Sequence, residues 1–124
     1  TYPEGMDVEV FSFKLLERAV REAEKPSERE HVTHYFWQNP QLFSTYRIDL
    51  DKDFSVYRLT VDYPEDLDVT EAIIHGLYPK DPLFTMHDMI KFLDANPVIK
   101  EKNSCFRPNT GWQSAYQKDK QAGF

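Results

Sequence analysis

A β-rich run that leads directly into a helix start places the strongest constraint on how this chain of 124 residues can fold. Residues 56–61 read Val-Tyr-Arg-Leu-Thr-Val, in which alternate side chains face opposite sides, as in a strand. Asp62 follows at once, and Pro64 then stands in the first turn of a helix whose early carboxylates lie at the positive end of its dipole. The run therefore predicts a strand that ends beside a helix start at Asp62.

The rest of the chain repeats this alternation of strands and helices. Two further strands are predicted at residues 8–11 and 43–48, and the tail from Ile99 shows no clear periodicity. Strands that alternate with helices predict an α/β fold, and three strands are too few for a complete sheet, whose remainder we expect upstream. The predicted helices begin at capping residues or proline and end before proline: residues 12–23, 27–39, 64–78 and 86–95.

Composition and charge exclude several classes of protein. Hydrophobic residues make up 40% of the chain and aromatic residues 15%, which is enough for a core. The formal net charge of −6, with basic residues scattered among acidic ones, argues against a nucleic-acid partner. No apolar run is long enough to span a bilayer, and Cys105 as the single cysteine excludes an intrachain disulfide, so we expect a cytoplasmic protein and no membrane partner. The opening Thr1 reads as the middle of a turn, so we expect that upstream sequence precedes it.

Asp62 is the candidate functional residue that the pattern itself indicates. Ligands bind at the carboxyl edge of the strands in open α/β sheets, and a carboxylate there is well placed to hold Mg²⁺. The alternative is that Asp62 only caps the following helix. A second candidate metal pair, His31 and His34, has helical i, i+3 spacing but no third ligand near it in the sequence.

Four sequence blocks carry a resemblance to a known family. Residues 60–67, Thr-Val-Asp-Tyr-Pro-Glu-Asp-Leu, resemble the Thr-Val-Asp-x-Pro-x-Asp-Leu segment of spore coat polysaccharide biosynthesis proteins of the cytidylyltransferase family. Related patterns occur in the synthetases that join CMP to 3-deoxy-manno-octulosonate or to acylneuraminate. Residues 2–11, 26–33 and 109–114 resemble the family's Gly-x-Asp-x-Glu-x-Phe, Arg-Glu-His-Val-Thr and Asn-x-Gly-aromatic blocks in the same order. Two positions depart from the family pattern: His34 stands in place of Pro, and Leu59 in place of Trp.

The resemblance implies a fold and a reaction. Residues 1–124 would be the C-terminal part of a single cytidylyltransferase-like domain, with a Rossmann-like, nucleotide-diphospho-sugar transferase three-layer fold and an incomplete mixed sheet. In the family, a sugar or sugar-acid hydroxyl attacks the α-phosphate of CTP with Mg²⁺ and releases pyrophosphate. The resemblance assigns Asp62 as the C-terminal metal ligand. Because the family's triphosphate-binding loop has no counterpart here, the isolated chain is expected to be inactive. Its incomplete sheet would expose an edge and apolar surface, so we expect it to pair with another copy as a homodimer.

The resemblance also suggests residues near the sugar. Asp7 and Glu9 share one face of the predicted strand at residues 8–11 and its approach, where they either line the sugar site or form a solvated acidic face. Arg29 and His31 are placed near the sugar site or a dimer interface, although an arginine in a capping box is often a surface ion-pair residue. Two other functions stay open: a non-catalytic dimerisation or interaction module of the same fold, and a glycosyltransferase that uses a preformed nucleotide-sugar.

Overall fold

The computed structural model describes residues 1–106 and 110–124, and these residues divide into two compact units. Unit 1 contains residues 1–7 and 49–106, and unit 2 contains residues 8–48 and 110–124. The helices are α1 (Phe13–Glu22), α2 (Pro26–Glu30), α3 (His34–Gln38), α4 (Pro64–Leu77), α5 (Met86–Ala95), α6 (Pro97–Lys100), a short 3₁₀ helix (Glu101–Asn103) and α7 (Thr110–Gln121).

Three of the predicted helices form where the sequence places them. Ser12 caps α1, its side chain accepting a hydrogen bond from the backbone N–H of Leu15. Thr85 and Asp88 cap α5 reciprocally, with the Asp88 carboxylate accepting the Thr85 backbone N–H at 3.0 Å. Helix α4 begins at Pro64 and ends just before Pro79, as predicted. Local capping chemistry therefore sets these boundaries.

The single helix predicted for residues 27–39 is wrong, because the chain forms two short helices there. His31 ends α2 in an extended conformation with φ −120° and ψ 96°. Ser27 does not cap α2, which begins one residue earlier. Its backbone N–H and its hydroxyl both donate to Asp119, at 2.8 and 2.6 Å. The sequence pattern predicts that the Ser27 side chain caps a helix, but in the structure this side chain bonds to a residue 92 positions away.

The predicted sheet is not found among the described residues. Residues 8–11, 43–48 and 56–61 form no strand there, and the described backbone holds one isolated parallel bridge, between Glu4 and Arg58. A strand is stabilised by hydrogen bonds to a neighbouring strand, and these segments find no such neighbour in the described residues. Val10 and Tyr46 are consequently 92% and 91% exposed.

Unit 1 is built around an apolar core between α4 and α5. Val69 and Ile73 of α4 are buried against Ile90 and Leu93 of α5, and Phe54 and Tyr57 complete the cluster. Burial of side chains of this size contributes about 1.5–3 kcal/mol each. This core fixes the N-terminus of α4, beside which Asp62 lies.

Unit 2 contains a helix that the sequence pattern missed. Residues 110–121 form α7, which packs against α2 and buries Ala115 completely. A smaller core lies elsewhere in unit 2, with Ala19, Ala23, Tyr35 and Phe36 buried together. None of the helices that the structure describes is both long and apolar enough to cross a membrane.

Candidate functional site

Arg58 lies at the centre of a buried ionic cluster in unit 1. Its side chain is only 6% exposed and forms ion pairs with three carboxylates. The guanidinium nitrogens lie 2.9 Å from Glu4, 2.9 Å from Asp62 and 2.8 Å from Asp66. Both Nε and Nη2 donate to Asp66, so this pair is bidentate. The isolated bridge between Glu4 and Arg58 holds the two backbone segments together at this point.

Asp66 is the most deeply buried member of the cluster, with a fully buried side chain. Its Oδ2 accepts the backbone N–H groups of Asp62 and Tyr63, each at 3.1 Å, and so caps α4. Its Oδ1 accepts a hydrogen bond from the Asn103 side-chain amide at 2.9 Å. The same amide nitrogen donates to the Arg58 carbonyl oxygen at 3.1 Å. Asp66 thus joins the helix start, the guanidinium and the 3₁₀ helix.

The cluster determines the charge state of its members. Burial by itself would raise the pKa of Asp66, but the hydrogen bonds from Arg58, Asn103 and two backbone N–H groups outweigh burial and lower that pKa to about 2. The hydrogen bond to Asp66 raises the pKa of Arg58 above its already high value. The carboxylates of Asp62 and Asp66 together carry one more formal charge than the guanidinium of Arg58 that joins them.

An aromatic pair lies against the guanidinium. The rings of Tyr63 and Phe106 are stacked, with centroids 4.2 Å apart and planes inclined by 10°. The central guanidinium carbon of Arg58 lies 5.6 Å from the Tyr63 centroid and 5.5 Å from the Phe106 centroid. Contacts of this kind stabilise a cation and limit the positions it can occupy.

Asp62 is the exposed end of this cluster. Its side chain is 60% exposed, and its Oδ2 accepts from Arg58 Nη2 at 2.9 Å. The interpretation of Asp62 as the cap of α4 is wrong, because Asp66 accepts the backbone N–H groups at that helix start. Asp62 is thereby left with a solvent-facing carboxylate at the edge of a net negative cluster.

The donor set at Asp62 fits a magnesium ion that is shared with substrate. Mg²⁺ prefers carboxylate oxygens and is usually held by one or two of them together with phosphates and water. Within the described part of the chain, no group of three or more histidine, cysteine or acidic side chains is arranged to hold a metal. Asp62 therefore offers one ligand, not a complete cage.

The residues assigned to the sugar site are divided between the two units. Asp7 belongs to unit 1, whereas Glu9, Arg29 and His31 belong to unit 2. Glu9 accepts a hydrogen bond from the indole nitrogen of Trp37 at 2.8 Å, and Arg29 is exposed. Because residues 8–11 form no strand, a common strand face for Asp7 and Glu9 is not found. Their role at a sugar remains a prediction.

His31 and His34 lie close together, but in an aromatic environment. Their ring centroids are 4.7 Å apart, and His34 stacks on Tyr116 and meets the edge of Trp112. His34 is 1% exposed, and neither of its ring nitrogens has a hydrogen-bond partner among the described residues. Burial lowers the pKa of His34, and nearby His31 adds to this effect. A neutral His34 packed as an aromatic side chain explains this arrangement.

Sequence reasoning identified Asp62 but missed the residues that hold it. Arg58 offered a signal, because a charged residue within a β-rich run and four positions before an acidic one indicates an ion pair. Asp66 was assigned only to the helix dipole. Asn103 gave no local signal, since it lies 37 positions from Asp66. Asn109, which begins the fourth resemblance block, lies outside the described residues.

Comparisons with known proteins show which proteins this chain is similar to. The chain is 36% identical over 107 residues to an uncharacterized protein of Methanocaldococcus jannaschii, a match that covers 83% of this chain and 42% of that protein. It also matches the structure of a cytidylyltransferase from Leptospira borgpetersenii serovar Hardjo-bovis, with a TM-score of 0.75 and 31% identity over 86% of this chain. No protein-family profile matches the chain.

These matches extend over most of this chain but over less than half of either protein. The chain spans 42% of the length of the archaeal relative and 44% of the solved structure. An identity of 31% together with this TM-score supports a shared nucleotidyltransferase-like fold. Over most of its length, this chain is therefore similar in both sequence and structure to a part of a cytidylyltransferase.

Proposed function

We propose that this chain is the C-terminal part of a sugar or sugar-acid cytidylyltransferase that acts in the synthesis of surface or coat polysaccharide. The reaction would join CMP from CTP to an acceptor hydroxyl and release pyrophosphate. The observation that carries the proposal is the position of Asp62, an exposed carboxylate at the start of α4 in a chain similar to a cytidylyltransferase. Four sequence blocks in register support the same family.

The chemistry assigned to Asp62 is charge neutralisation. Nucleotidyl transfer depends chiefly on positioning and on offsetting phosphate charge, and a Mg²⁺ bound at Asp62 would supply positive charge to the phosphates. Asp62 contributes one oxygen ligand, and its exposed side chain leaves room for phosphate and water as the others. The nucleotide-binding part, the acceptor and a homodimeric assembly are proposals that rest on the family resemblance.

The experiment is pyrophosphate release by the complete protein that contains this chain. It is incubated with Mg²⁺, with each of the four nucleoside triphosphates in turn, and with a panel of sugars and sugar acids. We expect release that requires CTP and one class of acceptor. Asp62→Asn should lower the rate at least about a hundredfold, as expected for loss of a group that stabilises developing charge.

A matched control separates the role of Asp62 from loss of charge in general. Asp68→Asn also removes a carboxylate near the start of α4, but Asp68 is an exposed residue paired with Lys102 at 2.6 Å. This variant should keep its activity within about twofold, because exposed ion pairs contribute little. If no triphosphate supports release with any acceptor, the interaction-module alternative replaces this proposal. Release that requires a nucleotide-sugar would favour a glycosyltransferase.

A further inference from the structure

The exposed carboxylate of Asp62 is held by the buried side chain of Arg58, which also binds Asp66, and the proposed function gives neither of these two residues a role. Asp62 is 60% exposed, and a side chain this exposed ordinarily samples several rotamers. Here its Oδ2 accepts from Arg58 Nη2, and that same nitrogen also donates to Asp66 Oδ2 at 2.9 Å. One guanidinium nitrogen therefore joins the exposed carboxylate to the fully buried one.

Arg58 itself has little freedom to move. Asp66 binds it in bidentate fashion through Nε and Nη2, Glu4 binds Nη1, and its side chain is only 6% exposed. Asp66 is in turn fixed by Asn103 and by the two backbone N–H groups at the start of α4. Each of these contacting residues is more deeply buried than Asp62. The fixed side chain of Arg58 therefore restricts the rotamers that the exposed Asp62 carboxylate can adopt.

The charges of the cluster are compatible with cation binding at its exposed end. A lone arginine beside Asp62 would oppose a divalent cation. Asp62 and Asp66 together carry a formal charge of −2 against the single positive charge of Arg58, so negative charge remains in excess. Arg58 can therefore orient Asp62 without abolishing the negative potential around it.

We propose that Arg58 is a positioning residue, held by Asp66 and Asn103, that fixes the Asp62 carboxylate in the orientation in which it binds a divalent cation. The proposal rests on the proposed function, in which Asp62 is a metal ligand. Residues that orient a ligand typically affect metal affinity by about 10- to 100-fold when they are changed. Glu4 contacts Arg58 through Nη1, whereas Asp62 contacts it through Nη2.

The central variant is Arg58→Lys, studied in the complete protein. Lysine keeps the positive charge, but a single ammonium group cannot reproduce the fork that contacts Asp66 twice and Asp62 at the same time. We expect the Mn²⁺ dissociation constant, measured from the electron paramagnetic resonance signal of free Mn²⁺, to rise about tenfold. The Mg²⁺ concentration for half-maximal pyrophosphate release should rise by the same factor, with little change in the KM for CTP at saturating metal.

A double-variant cycle distinguishes positioning from general destabilisation. If Arg58 acts through Asp62, then Arg58→Lys should weaken Mn²⁺ binding in the wild-type background and should have almost no further effect on Asp62→Asn. Thr85→Ala is the control for destabilisation, because it weakens the cap of α5, where Thr85 pairs with Asp88. This control should lower the melting temperature and leave the Mn²⁺ dissociation constant within about twofold.

Each outcome bears on the inference separately from the proposed function. Equal Mn²⁺ affinity of wild type and Arg58→Lys, or an equal loss in Thr85→Ala, would overturn the positioning role even in an active enzyme. A wild type without pyrophosphate release would refute the proposed function, whereas the Mn²⁺ arm would still report on Arg58 and Asp62. If Arg58→Lys does not fold, Asn103→Ser removes the amide that donates to Asp66 and to the Arg58 carbonyl oxygen. It should weaken Mn²⁺ binding about threefold, on the scale of a lost hydrogen bond, and an unchanged affinity would overturn the inference.

Discussion

Individual charged residues of this chain differ greatly in what they contribute. Lys102 and Asp68 form a close ion pair at 2.6 Å, but both side chains are about half exposed, so the pair contributes little. Asp66 is fully buried, and its loss would leave the guanidinium of Arg58 buried with its bidentate partner missing. The pattern around Asp62 was sufficient to predict a candidate site at this position. The buried partners depend on distances across the fold, which spacing along the chain does not encode.

Asp66→Asn should destabilise unit 1 in a pH-dependent way. The pKa of Asp66 is about 2 in the folded chain against 3.8 in an unfolded one, so its carboxylate stabilises the fold above pH 4. That contribution, about 2 kcal/mol, is lost as the pH falls through this folded pKa. The difference in unfolding free energy between wild type and variant, measured with urea, should therefore be largest at pH 7 and much smaller at pH 2. The exposed Asp68→Asn serves as the control, and an equal deficit at both pH values would contradict the assignment.

At the scale of helices and strands, local capping residues predicted helix starts correctly, whereas β-rich segments did not predict strands. Helices α1 and α5 begin at Ser12 and Thr85, since a capping side chain and the backbone it satisfies lie within four residues. Ser27 binds Asp119 instead of capping α2, and no local window contains that bond. The strand predictions also depended on partners outside a local window. A β-rich segment such as residues 56–61 becomes a strand only where another segment pairs with it.

Removal of the α5 cap gives a direct test at this scale. Thr85→Ala deletes the hydroxyl that donates to Asp88 at 2.7 Å and leaves the helix start with a weaker cap. The free energy of unfolding should fall by about 1 kcal/mol, measured by urea titration followed by circular dichroism. Thr85→Ser retains the hydroxyl and should lie within about 0.5 kcal/mol of wild type. If the two variants lost equal stability, the hydroxyl would not be the source of the effect.

At the scale of the whole molecule, each unit is assembled from segments that are distant along the chain. Unit 1 joins residues 1–7 to residues 49–106, and unit 2 joins residues 8–48 to residues 110–124. In unit 2 the distant segment supplies Ala115, which is completely buried, and Asp119, which holds Ser27. Composition could predict a core, but the division into two units could not be predicted, because it depends on which distant segments meet.

Removal of residues 107–124 should therefore affect the two units unequally. Without α7, Ser27 loses Asp119, and His34 loses its contacts with Trp112 and Tyr116. Amide hydrogen exchange followed by mass spectrometry should show lost protection in residues 13–38 and retained protection in residues 64–77 and 86–95. Asp119→Asn, which preserves the helix, should give a smaller loss centred on α2. Retained protection throughout residues 13–38 after truncation would show that α7 is dispensable for unit 2.

This interleaving has a consequence for synthesis on the ribosome. The chain emerges from its first residue onward, so the helices α1 to α3 are made before any of α4 to α6. Translation of unit 1 is nevertheless completed before that of unit 2, because residues 49–106 precede residues 110–124. Helices α1 to α3 are therefore made first but cannot complete unit 2 until α7 has been translated. Until then, the surface of α2 that packs against α7 stays uncovered in the nascent chain.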